Sequence, residues 1–239
     1  MLRPLPFLTK HVGGNSGVAV VGTKIYVCNS AQADVIGYAL LDGEASEPLA
    51  FPAFQCLQKM CASPQGTLCV ADSKAGVVHE VSVSGAYIRA VHTGVGTTCV
   101  AVDDSGVLVV GARGRISMHL FHSGAHLRDV DISCIGLGVV KGLFAGRGAA
   151  PFLAATSAGI LEFDGDREPS LVGCPCEDMA QIGAHVLRVN WEEQVFFVSE
   201  GVSTPVARPT AIAVSGEEAY VVGTSSAGVW VGTPSAHFP

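Results

Sequence analysis

The chain has 239 residues, 49% of them hydrophobic and only 15% charged, with 29 Gly, 12 Pro and a net charge of −7. That length suits one large all-β domain, and so much glycine and proline argues against a helical one. The acidic balance, with 14 Lys and Arg spread along the chain, argues against a nucleic-acid partner and against an anionic membrane surface.

Pro4 and Pro6 interrupt the apolar start, which therefore does not read as a signal peptide. No window of about 18 residues is apolar and free of Gly, Pro and charge, so no spanning helix is expected. The default expectation is one domain over 1–239, intracellular and cytoplasmic. The eight cysteines, at 28, 56, 61, 69, 99, 134, 174 and 176, then read as free thiols.

Taken in chain order, one pattern recurs: apolar strand, turn with Gly, second apolar strand, an Asp/Asn/Thr-Ser segment, third strand. Its copies run Val18–Leu40, Met60–Val91, Cys99–Val130, Gly142–Phe163, a diverged copy around Gly183, and Ile212–Gly232. The turn glycines Gly22, Gly66, Gly106, Gly183 and Gly216 are 44, 40, 77 and 33 residues apart, and the fourth copy fills the long gap. A period near 40 with three or four strands per unit predicts propeller blades, each hiding its two apolar faces only between neighbours. Ser84-Gly85, Ser123-Gly124 and Asp164-Gly165 read as two-residue hairpin turns between outer strands. The segment FLTKHVGG is similar to IRAVHTGVG ahead of the third copy. Phe7–Val12 is therefore expected to complete the last blade. The expected fold is all-β: a six-bladed β-propeller of four-stranded blades, its ring closed by that N-terminal strand.

VADSKAGVVHEVS, from Val70 to Ser82, resembles the NHL repeat, and YVCNSAQADVIGY and VVGTSSAGVWV are looser copies. The resemblance implies the propeller fold. It does not choose an activity, because NHL propellers include RNA-binding, protein-binding and enzymatic members. The basic face of the RNA-binding ones has no counterpart here.

Few residues suggest chemistry, and each also has a structural reading. Cys56, Cys61, Cys99, Cys134, Cys174 and Cys176 fall at or near inner strands, which line a propeller's channel. With His11 or Asp178 they are candidates for a soft metal such as zinc; equally, cysteine is a small buried hydrophobe. Cys174 and Cys176 are spaced C-x-C, unlike the paired C-x₂-C of most structural zinc sites. In HLFHSGAH, a two-residue turn puts His119 and His126 on one face and His122 on the other. These are metal ligands or exposed polar positions. Asp164, Asp166 and Glu168 are calcium-type donors or a solvated turn. Asp103-Asp104 read as a turn chosen for backbone reasons. Asn15, Glu177 and Asp178 sit at blade entrances, where calcium-dependent propeller enzymes hold their metal. No nucleophile elbow, zinc-protease helix or phosphate loop occurs.

The expected function is a non-catalytic protein-interaction or scaffold module with a protein partner and no cofactor. Its contacts are expected on the Leu41–Gln58 connection and the Ser203–Pro209 loop. The alternative is a metal-dependent hydrolase or lyase at the channel mouth, with Asn15, Cys99, Cys174, Cys176 and Asp178 as metal candidates.

Overall fold

The computed structural model describes residues 3–5, 15–133, 138–145, 152–163, 169–182, 185–190, 192, 195–198, 202–205, 208–216, 218–223 and 229–232. After β1 (Arg3–Leu5), the first sheet holds β2 (Asn15–Val21), β3 (Lys24–Asn29) and β4 (Asp34–Ala39). The second holds β5 (Leu57–Ala62), β6 (Thr67–Asp72), β7 (Val77–Ser82) and β8 (Tyr87–His92). The third holds β9 (Cys99–Val102), β10 (Val107–Ala112), β11 (Arg115–Leu120) and β12 (His126–Asp131). The fourth is β13 (Val140–Phe144), β14 (Phe152–Thr156), β15 (Ile160–Phe163) and β16 (Ser170–Gly173). The fifth is β17 (Asp178–Ile182), β18 (His185–Asn190), β19 (Val195–Val198) and β20 (Val202–Pro205). In the sixth, β21 (Pro209–Ser215), β22 (Glu218–Gly223) and β23 (Val229–Gly232) are joined by β1.

Each recurring copy in the sequence thus becomes one antiparallel sheet. Second strands such as β3, β6, β10 and β22 are buried almost throughout, as their unbroken apolar runs require. The outer strands β8, β12 and β16 are mostly exposed. Among the described residues, one apolar cluster fills each junction between consecutive sheets. A further cluster, with Val18, Ile25 and Tyr38 against Ala211, Tyr220 and Val222, joins the first sheet to the sixth. The first strands β2, β5, β9, β13, β17 and β21 neighbour one another in that order, and β21 lies against β2.

Turn chemistry explains the sheet corners. Gly66 and Gly106 have φ of 76° and 83°, a region open to glycine at little cost. Ser63 and Asp103 stand at the matching position three residues earlier and bind their turns' backbone N–H groups. Asp103 is therefore a turn residue. Between β6 and β7, Asp72 accepts backbone N–H groups from Gln55, Cys56, Lys74 and Ala75 at 2.7–3.1 Å. Asn29 and Thr156 do the same work at the matching turns of the first and fourth sheets. The Asp of the NHL-like segment is thus a backbone clamp.

Several expectations need correction. The strand paired with β23 is β1, through Arg3↔Val231, Pro4↔Trp230 and Leu5↔Val229. It lies upstream of Phe7–Val12, which falls outside the described residues. An outermost strand tolerates Pro4 because only one of its sides needs donors. Among the described residues the first sheet has three strands, not four. Its outer position is held by the 41–56 connection, which bridges β4 at Tyr38↔Ala45 and Val35↔Leu49. Pro48 and Pro52 lack the N–H groups a longer ladder would need. The turn at Gly85 has three residues, with Ser82 donating to Ala86 at 2.8 Å across it. The turn at Gly124 is longer still, and Leu120 N–H reaches Ala125 across it at 2.8 Å. Asp164-Gly165 lies outside the described residues.

Candidate functional site

The six first strands surround a channel of about 820 Å³. Hydroxyls tie one strand to the next. Ser16 donates to the Leu57 and Gln58 carbonyls at 3.1 and 3.0 Å, and Thr98 donates to the Val140 carbonyl at 2.6 Å. Lys59 on β5 and Asp178 on β17 both line this channel.

Within it, Lys59 and Asp178 meet. Nζ of Lys59 lies 3.2 Å from Oδ2 of Asp178, and their side chains are only 15% and 10% exposed. Lys59 also donates to the Thr210 carbonyl. The carboxylate accepts the Ile212 and Met179 backbone N–H groups at 3.2 and 3.0 Å. Burial pushes the Asp178 carboxyl above the usual carboxylate range, against the pull of Lys59 and these amides. Two sheets separate the partners in either direction, so the pair crosses the channel. A Cβ at Gly142 would lie 2.2 Å from Asp178 Oδ1, so glycine is what makes room for the carboxylate. Alongside, Lys141 and Glu177 form a more exposed pair at 2.5 Å.

The other candidates are placed differently. Cys99 is buried, its thiol pushed up to about 12 by burial, and its sulfur lies 3.6 Å from the Val140 carbonyl. Cys176 is buried with its thiol also pushed to about 12, again by burial, whereas Cys174 is exposed. Asn15 begins β2. Cys134, His11 and the Asp164–Glu168 loop lie outside the described residues. Among the described residues no three His, Cys, Asp or Glu side chains gather as a metal set.

His119 and His126 do share a face. They are direct cross-strand partners with ring centroids 5.3 Å apart, because a bulge after Met118 shifts the register. His119 is buried, not exposed as a hairpin's polar position would be, and burial lowers its pKa. His126 turns to Asp129 at 3.1 Å.

Sequence reasoning missed Lys59, whose signal was a lone cation inside a channel strand. It also missed Gly142 as a space-maker, and the side-by-side placement of Cys61 and Cys69.

No protein-family model matches this chain, and no curated protein does. Solved structures do. A catalytically inactive variant of virginiamycin B lyase from Staphylococcus aureus with quinupristin is similar at TM-score 0.67 and 12% identity, over 93% of this chain and 81% of that one. A nidogen/laminin complex is similar at TM-score 0.70 and 13% identity, over 84% and 85%. Hydrazine synthase of Kuenenia stuttgartiensis is similar at 0.66 and 10%, over 95% and 97%. The fold is that of a β-propeller.

Proposed function

We propose that this chain is a non-catalytic protein-interaction module, a single six-bladed ring working inside the cell without a cofactor. The six sheets are its blades, and β1 on β23 is its closing pair. The observation carrying the functional reading is the exposed apolar surface at the outer strands and adjoining turns of the second and third sheets. Val83 in the turn after β7, Tyr87 and Ile88 on β8, Leu120 at the end of β11 and Leu127 on β12 are each 37–47% exposed. Beside them lies a groove of about 300 Å³ between residues 46–51 and Val83–Gly85. Apolar surface gathered on a rigid scaffold is a common basis for protein contact. The channel supports the same reading, since Lys59 and Asp178 are spent on each other. Among similar folds is one from a complex of nidogen with laminin.

The test is affinity purification from native cells with the wild type and with Ile88→Asp/Leu127→Asp. The expected result is a partner at near-equal abundance that the double variant loses. A wild-type chain recovered alone would overturn the reading.

A second reading rests on the buried Asp178 carboxyl in a channel of about 820 Å³ and on the lyase among similar folds. It is a metal-dependent hydrolase or lyase, with Asn15, Glu177, Asp178 and the entrance cysteines as donors. Elemental analysis of the purified protein tests it: stoichiometric metal lost in Asp178→Asn supports it, and metal-free protein of unchanged stability rejects it.

A further inference from the structure

Cys61 and Cys69 are Cα partners on the adjacent antiparallel strands β5 and β6. Among the described residues no other two cysteines are paired in this way. Antiparallel partners have Cα atoms about 4.5–5.5 Å apart, inside the 4.4–6.8 Å range that a disulfide needs. Partners across a ladder also point to the same face, so no backbone rearrangement is needed to bring the sulfurs together.

The two sulfurs differ in access. Cys61 is partly exposed and lines the channel, whereas Cys69 is fully buried behind it against Val100 and Leu108 of the third sheet. The other described thiols lack this combination. Cys28 and Cys99 are completely buried and face backbone carbonyls. Cys174 is exposed.

We propose that Cys61 and Cys69 are a redox-active dithiol, oxidised by a hydroperoxide that arrives through the channel. The accessible Cys61 sulfur attacks the peroxide, the O–O bond breaks with the Cys61 thiol proton passing to the leaving oxygen, and Cys61 sulfenic acid forms with release of water from hydrogen peroxide or of an alcohol from an organic hydroperoxide. The Cys69 sulfur then displaces the sulfenic hydroxyl, its thiol proton leaving with that hydroxyl as water. One S–S bond forms, the two sulfurs lose two electrons, and the peroxide is reduced. The order of attack follows from the environments. The Cys69 thiol is held well above its ordinary range, first by its hydrogen bond to Cys61 and then by burial, so Cys61 reacts first and Cys69 resolves. Reduction by an external dithiol reverses the change.

The experiment treats folded protein with hydrogen peroxide, denatures it, alkylates remaining thiols with iodoacetamide and digests with trypsin. Met60–Lys74 carries both cysteines and no internal Lys or Arg. The expected product is this peptide without alkyl groups and lighter by two hydrogens, returning to the doubly alkylated form when dithiothreitol precedes alkylation. Cys69→Ala should leave a Cys61 sulfenic acid that dimedone traps, and Cys61→Ser should leave Cys69 open to alkylation. A doubly alkylated peptide from oxidised wild type, or no dimedone adduct in Cys69→Ala, would overturn the proposal. Protein unfolded in urea before oxidation serves as control. If it gave the same yield of that peptide and equal losses at Cys28 and Cys99, the claimed selectivity of the fold would fail.

Discussion

Lys59 on β5 spans the channel to Asp178 on β17, 3.2 Å from Nζ to Oδ2, across 119 residues of sequence. Their side chains are only 15% and 10% exposed, so losing one leaves the other largely buried without its partner. Lys59→Met is expected to cost about 3–5 kcal/mol in urea denaturation. Lys59→Met/Asp178→Leu should recover part of that loss but not all, because the Ile212 and Met179 amides lose their acceptor. Strict additivity of the two single changes would contradict direct coupling.

Two buried carboxylates make opposite predictions about pH. Asp178 is held above its ordinary 3.8, chiefly by burial, so its proton stabilises the fold at low pH, and that contribution is lost as pH rises through the raised value. For Asp72, burial also pushes upward, but the amides of Ala75, Gln55 and Cys56 and the His79 ring outweigh it and hold the group below 3.8. Its contribution is present above 3.8 and disappears as pH falls through the depressed value. In a pH series of denaturation curves, the advantage of wild type over Asp178→Asn should shrink with rising pH above 3.8. The advantage over Asp72→Asn should grow with rising pH below 3.8. Matching slopes would refute both assignments.

Gly142→Ala should destabilise by about 1–3 kcal/mol through overpacking against Asp178. The same change should cost less in an Asp178→Ala background. Gly22→Ala should cost about 1 kcal/mol in either background, because its φ of 58° is the obstacle and nothing lies within 4 Å of the new methyl. Thermal melts of each glycine variant against its own background separate steric from conformational cost.

If β1 closes the ring on β23, removing residues 2–5 should lower the melting temperature by several degrees, since roughly 1 kcal/mol corresponds to about 2–4 °C at this size. An unchanged melt would reject the closure.

The sheets were legible because their signals are local. A turn glycine with a fixed φ, flanked by apolar strands, announces a hairpin wherever it occurs, and even the diverged fifth copy around Gly183 falls on β17–β19. The contents of the channel were not legible. Lys59 and Asp178 are remote in sequence, and no local pattern says that one faces the other. The His119–His126 register also escaped, because a bulge and a longer turn leave no mark on the alternation of residue types. Phe7–Val12 was chosen by likeness to another segment, and the pairing strand lies at Arg3–Leu5 instead.

Lys59 and Asp178 come from two different sheets, and on a third sheet Gly142 leaves the room that the Asp178 carboxylate needs. The copies therefore cannot be exchanged or averaged. A consensus redesign that gave every repeat the same residue here would keep each sheet's pattern intact and still remove the cross-brace, because the brace depends on the repeats being unequal.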